Sequence, residues 1–123
     1  VMKHGSTTGG ESYTGLQSGT TQGNGQGAWS YVNDSWKGAY FNLYTVGASS
    51  STWVDSGYTS DTNWHTHKIE LTSSQASLEI DGSTTTTSTT NLPAVSLQPS
   101  VGINNTSAVN RTLNIRYMEC YNT

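Results

Sequence analysis

The segment that most constrains the fold of this chain is Trp64-His65-Thr66-His67-Lys68-Ile69-Glu70-Leu71, followed closely by Ala76-Ser77-Leu78-Glu79-Ile80-Asp81-Gly82. Side chains on a strand alternate between faces. Ile69 and Leu71 share one face of the first run, and Ala76, Leu78 and Ile80 share one face of the second. Thr72-Ser73-Ser74-Gln75 supplies a polar turn between them, and Asp81-Gly82 ends the second run with residues that tolerate positive φ. A hairpin with one apolar and one wet face is expected here. A second apolar layer is needed to cover it.

The rest of the chain reads the same way. No window of a dozen residues keeps apolar side chains at i, i+3 and i+4, so no helix is expected. Strands are expected at Glu11–Leu16, Ala28–Val32, Trp36–Val46, Thr52–Asp55, Ala94–Leu97, Ser100–Ile103 and Arg111–Tyr121. In the third of these, Tyr40, Asn42, Tyr44 and Val46 share one face and Ala39, Phe41, Leu43 and Thr45 the other. With bulk on both faces, this strand is expected to be central and covered on both sides. Ser56–Asp61 reads as a loop, the tract Ser83–Thr90 as an exposed or edge strand, and residues 1–27 as a Gly-rich, weakly patterned segment. Short strands with frequent turn signals predict one all-β sandwich domain over residues 1–123.

Composition agrees with that class. The hydrophobic fraction is 32%, below the roughly 45–50% of an average globular protein, although that reference counts Gly and omits Tyr. Four Trp and seven Tyr must therefore supply much of the core, as wide rings between sheets do well. The net charge is −3 with no basic run, which argues against nucleic acid as a partner. No apolar stretch approaches the roughly 18 residues of a membrane helix, and no signal peptide is evident at Val1-Met2-Lys3-His4-Gly5. Cys120 is the lone cysteine, so no intrachain disulfide can form, and it reads as a buried small apolar residue.

The order of features from Trp36 to Tyr121 resembles the C-terminal portion of a concanavalin A-like lectin/glucanase jelly roll of the LamG-like kind. The resemblance rests on Gly38–Leu43, on Asn63-Trp64-His65-Thr66-His67-Lys68-Ile69-Glu70-Leu71, on Leu78-Glu79-Ile80-Asp81-Gly82, on Leu92-Pro93 and on the run Arg111–Met118. It spans about two thirds of the chain and is more specific for fold than for function. Such jelly rolls usually run longer than this chain. It is read as a minimal version, or as one whose N-terminal strands come from a missing segment or a partner chain.

The resemblance implies a non-catalytic carbohydrate-binding or adhesion module at an extracellular, cell or virion surface. Trp36, Trp53 and Tyr58 are the candidates for stacking on sugar rings, and Asp55, Asp61 and Asn63 for hydrogen bonds to hydroxyls. Catalysis by paired carboxylates is not expected. Glu79 and Asp81 share a face, but no Glu-x-Asp-x-x-Glu pattern is present. His65 and His67 share a strand face and could hold zinc with Asp55 or Asp61, but packing against Ile69 within the sandwich is the favoured reading. No cofactor is expected. Asp55, Asp61, Asp81, Asn104 and Asn105 could supply oxygens to calcium, though no Asp-x-Asp-x-Asp loop demands it. Sequons place candidate glycosylation at Asn33, Asn104, Asn105 and Asn110. A structural subunit of a virion, tail fibre, filament or surface layer, assembled as a homo-oligomer or homopolymer, is the alternative function. A glycoside hydrolase or polysaccharide lyase is the second alternative.

Overall fold

A computed structural model of the chain describes residues 1–4, 10–19, 25–33, 40–105 and 112–121. Within them the alternation of the central hairpin becomes pairing. Strand β6 (His67–Leu71) and strand β7 (Ala76–Ile80) run antiparallel with His67 opposite Ile80, Ile69 opposite Leu78 and Leu71 opposite Ala76. That register lays inward side chain against inward side chain, and a slip of one residue would turn the set outward. Thr72 closes the turn, its N–H donating to Gln75 O at 2.8 Å and its hydroxyl accepting from Gln75 N at 3.0 Å. After β7, Asp81 (φ 52°) and Gly82 (φ 69°) reverse the chain into β8 (Thr84–Ser88). The Ser/Thr tract is thus the edge of a three-stranded sheet ordered β6-β7-β8, as expected.

The covering layer is a five-stranded antiparallel sheet. It is ordered β5 (Ser51–Thr59), β4 (Tyr40–Val46), β3 (Gly27–Asn33), β2 (Gly10–Gln17) and β9 (Gln98–Asn105). Ala28 and Val32 from β3 and Phe41 and Leu43 from β4 pack against Ala76, Leu78 and Ile80 from β7, all essentially without solvent contact. Burying each large side chain of this set contributes about 1.5–3 kcal/mol. The protein is therefore all-β and built as a β-sandwich, with no helix among the described residues. Nothing described is a helix long and apolar enough to cross a membrane.

Two short strands extend the hairpin layer. β1 (Met2–His4) pairs with β10 (Leu113–Ile115), and Met2 also bridges His65 through two backbone hydrogen bonds of 2.8 and 2.9 Å. Trp64, just outside the bridge, lies beneath Lys3 Nζ (5.4 Å to the ring centroid) and Arg116 Cζ (4.6 Å). Such cation–π contacts hold the end of this layer together.

Several local expectations change. The weakly patterned segment 1–27 holds β1, all of β2 and the first residue of β3. β5 runs through Gly57 to Thr59 instead of stopping at Asp55; a register shift opposite Tyr40 and Asn42 absorbs its extra residues, with Gly57 at φ 73°. Residues 94–97 are not a strand, and β9 continues through Pro99 because an edge strand pairs on one side only. The last strand shortens to Leu113–Ile115, and Cys120 is exposed rather than buried because no sheet among the described residues covers residues 116–121. Trp36 to Ala39, the expected start of β4, lie outside the described residues.

Candidate functional site

The two faces of the five-stranded sheet divide its aromatics. Phe41 on β4 points into the sandwich, whereas Trp29 and Tyr31 on β3 and Tyr44 on β4 point the other way. Cross-strand register gathers these outward rings. Tyr13 lies opposite Tyr31, Trp29 opposite Tyr44, and Tyr44 opposite Trp53. Tyr44 and Trp53 stack with centroids 3.8 Å apart at 22°, and Tyr31 meets Trp53 edge-on at 4.7 Å. Tyr13 stacks on Tyr31 at 5.9 Å, and Trp29 on Tyr44 at 5.6 Å. Cross-strand aromatic pairs of this kind stabilise a sheet by about 0.2–1 kcal/mol each.

Two glycines let the rings lie flat. Gly15 stands between Trp29 and Ser100 in the ladder, so the Trp29 indole reaches across β2 and donates to Ser100 Oγ at 3.0 Å. Gly102 faces Tyr13, and a Cβ there would collide with the phenol ring. Tyr13, Trp29 and Tyr31 are buried as a result, while Tyr44 and Trp53 keep part of their surface in solvent. Beside that pair opens a shallow cleft of about 460 Å³, floored by Tyr44 and Val46 and rimmed by Ser18, Gln26 and Ser49–Ser51. An aromatic floor with a hydroxyl and amide rim can stack an apolar ring face and hydrogen-bond its substituents.

A second cluster sits at the far side of the sandwich, where the bridge at His65 meets the turn at Asp81. His65 is buried, with Nδ1 2.6 Å from Asp81 Oδ2 and Nε2 2.8 Å from Asp61 Oδ1. Each carboxylate has further donors. Thr66 N–H donates to Asp81 Oδ1 at 2.8 Å and Tyr58 OH to Asp81 Oδ2 at 3.2 Å. Asn63 donates to Asp61 through its backbone (2.6 Å) and its side chain (2.8 Å). Phe41 closes the inner side, its ring 5.5 Å from His65 and 5.9 Å from Tyr58.

The electrostatics follow from this geometry. Burial works against a charge on His65, but its hydrogen bonds to Asp81 and Asp61 outweigh that and raise its pKa. Burial likewise opposes charge on both carboxylates, but the bonds from His65 together with those from Asn63 to Asp61 and from Thr66 and Tyr58 to Asp81, and the pull of the imidazolium, outweigh it, so both are held below the ordinary range. The Tyr58 phenol is pushed up by burial and by its bond to Asp81. An imidazolium with both N–H groups given to carboxylates satisfies every partner. With both nitrogens engaged, His65 braces the junction between the bridge to β1 and the turn after β7. His67 turns its Nδ1 to Ser30 Oγ at 2.8 Å and its ring edge to Phe41 at 4.7 Å. No group of three or more His, Cys, Asp or Glu side chains among the described residues is arranged to hold a metal ion.

The residues singled out in the sequence thus fall into two groups. Trp53 belongs to the aromatic face, and Asp55 shares its side of β5, where its Oδ1 accepts from Gly57 N–H at 2.7 Å. Tyr58, Asp61 and Asn63 come together around His65, on the other side of the sheet. Trp36 and Asn110 lie outside the described residues, as do the side chains of Asn33 and Asn105. Asn104 is exposed on β9, and its Nδ2 donates to Glu11 Oε2 at 3.3 Å. Sequence reasoning missed Tyr44 as the partner of Trp53. It also missed Asp81 as the partner of His65, although the hairpin register sets the Asp-Gly turn opposite the Trp-His pair. Comparison with protein-family models, with curated proteins and with solved structures finds no match to this chain.

Proposed function

We propose that this chain is a non-catalytic carbohydrate-binding or adhesion module, a sandwich of the concanavalin A-like jelly-roll kind acting at a cell or particle surface. The observation that carries the reading is the half-exposed Tyr44–Trp53 stack beside the cleft rimmed by Ser18, Gln26 and Ser49–Ser51. Tyr44, on the cleft floor, offers the stacking surface, Trp53 supports it from β5, and the rim supplies donors and acceptors for sugar hydroxyls. Tyr58, Asp61 and Asn63 then serve the brace at His65 rather than the ligand.

A glycan array probed with the parent chain and with Trp53→Ala and Tyr44→Ala tests this. Binding is expected in the parent and lost in Tyr44→Ala and Trp53→Ala while both variants keep a cooperative thermal unfolding transition. Binding that survives both substitutions sinks the reading. The structural-subunit reading draws on a different observation, the exposed Val101, Ile103, Tyr117, Met118 and Tyr121. It requires concentration-dependent assembly in sedimentation velocity.

A further inference from the structure

The hairpin layer of the sandwich has a gap between β6 and the chain after β10, and β1 points into it. Met2 pairs with His65 on one side and with Ile115 on the other, both antiparallel. Each step back from Met2 is therefore one step forward along both neighbours. Val1 falls opposite Thr66 and Arg116, and Arg116 N–H indeed donates to Val1 O at 3.0 Å. In line with β1, the next five positions fall opposite His67–Leu71 on the β6 flank, while Tyr117–Tyr121 line the other flank without strand pairing. The Val1 ammonium donates to Tyr117 O at 2.7 Å at the mouth of this gap.

A groove of about 940 Å³ fills that space, between β6 and residues 117–121, with Leu16, Leu97 and Pro99 among the residues that line it. The backbone of β6 is set to receive a strand. Ladder bonds alternate sides along a strand. His65 turns its N–H and C=O to Met2, and Thr66 O accepts from Asp81 N on the other side. By that alternation Ile69 and Leu71 turn their backbone groups toward the gap, where β6 has no strand beside it among the described residues. Their side chains point inward with those of the hairpin core, yet both are only half-buried. A neighbour on the gap side would complete their burial.

We propose that this gap is the seat of a further β-strand that runs directly into Val1, extending β1 by about five residues, a span of roughly 17 Å. The register dictates its pattern. Met2 is buried, so the first, third and fifth positions before Val1 face inward, beside His67, Ile69 and Leu71. Those positions take apolar side chains. The second and fourth face outward beside Lys68 and Glu70, which pair with each other at 2.9 Å, and take polar ones. The proposal is independent of the glycan reading, because the gap lies on the opposite side of the five-stranded sheet from Tyr44 and Trp53.

The experiment compares the chain beginning at Val1 with the same chain carrying Val-Thr-Ile-Thr-Val before it, and with Thr-Val-Thr-Ile-Thr as the out-of-register control. Hydrogen exchange of the Ile69 and Leu71 amides and the thermal midpoint are read for each. The in-register extension is expected to slow both amides at least tenfold and to raise the midpoint by about 5 °C, with the control doing neither. Equal effects from both extensions, or none from either, overturn the proposal. Protection of the same amides by free Val-Thr-Ile-Thr-Val peptide, without gain from fusion, overturns it in favour of a strand donated by another chain. Protection that grows with protein concentration in the unextended chain overturns it in favour of a second copy.

Discussion

His65 Nδ1 lies 2.6 Å from Asp81 Oδ2, although sixteen residues separate them in the chain. The contact joins the bridge that anchors β1 to the turn that launches β8. It therefore couples the N-terminal strand pair to the central hairpin. A buried imidazole so placed makes the stability of this junction depend on pH.

The sign of that dependence follows from the shifts. The raised pKa of His65 means its contribution is fully present below the ordinary imidazole value of about 6.5 and is lost as pH rises through the folded-state value. The lowered values of Asp61 and Asp81 mean their contributions are present above the ordinary carboxylate value of about 3.9 and are lost as pH falls through the folded-state values. Thermal midpoints are expected to peak between about pH 4 and 6.5. In His65→Gln the decline on the alkaline side should flatten. An unchanged alkaline arm in that variant would show that His65 is not its source.

Asp81→Asn separates charge from shape. Asn accepts the positive φ of 52° at this turn and can still accept the Thr66 N–H bond. What it loses is the carboxylate facing His65. Half-exposed charge-assisted bonds of this kind contribute about 1–2 kcal/mol after allowance for solvent screening. Urea unfolding at pH 6 should show a loss of that size, shrinking as pH rises through the folded-state value of His65.

Leu78→Ala probes the inter-sheet core. Leu78 is fully buried on the central strand of its sheet and packs among Ile80, Ala76 and the Phe41 layer. Truncation should cost about 3–5 kcal/mol, which is a large share of the stability of a domain this size. A loss below 1 kcal/mol would mean that the two sheets do not meet there.

On the opposite face, Gly102→Ala should disturb the Tyr13 ring without touching the inter-sheet core, because the new methyl would occupy space the phenol holds. A cost of about 1–3 kcal/mol is expected. Near-ultraviolet circular dichroism should change with it, since Tyr13 stacks on Tyr31. Tyr13→Ala in the same background should remove the extra penalty.

Cys120 is exposed and should react with an aromatic disulfide reagent in the folded protein as fast as in urea. Slow labelling that becomes fast only on unfolding would place the thiol under a cover.

Much of this architecture is legible before folding. Period-two alternation at Ile69, Leu71, Ala76, Leu78 and Ile80 dictates a hairpin, its inward face and its need for a second layer. The Asp81-Gly82 pair dictates the turn, because few other residues accept positive φ twice in succession. These are local properties, set by backbone sterics and by the side chains themselves. Which residues meet across strands is not local. Tyr44 finds Trp53, Trp29 finds Ser100 and His65 finds Asp61 and Asp81 only once ladder register is chosen, and register depends on the burial of the whole sheet. The exposure of Cys120 has the same origin, since burial depends on a covering layer that no alternation within residues 116–121 can specify. Alternation along the chain therefore determined the strands and their faces, while long-range pairing decided which faces became core, aromatic platform or open groove.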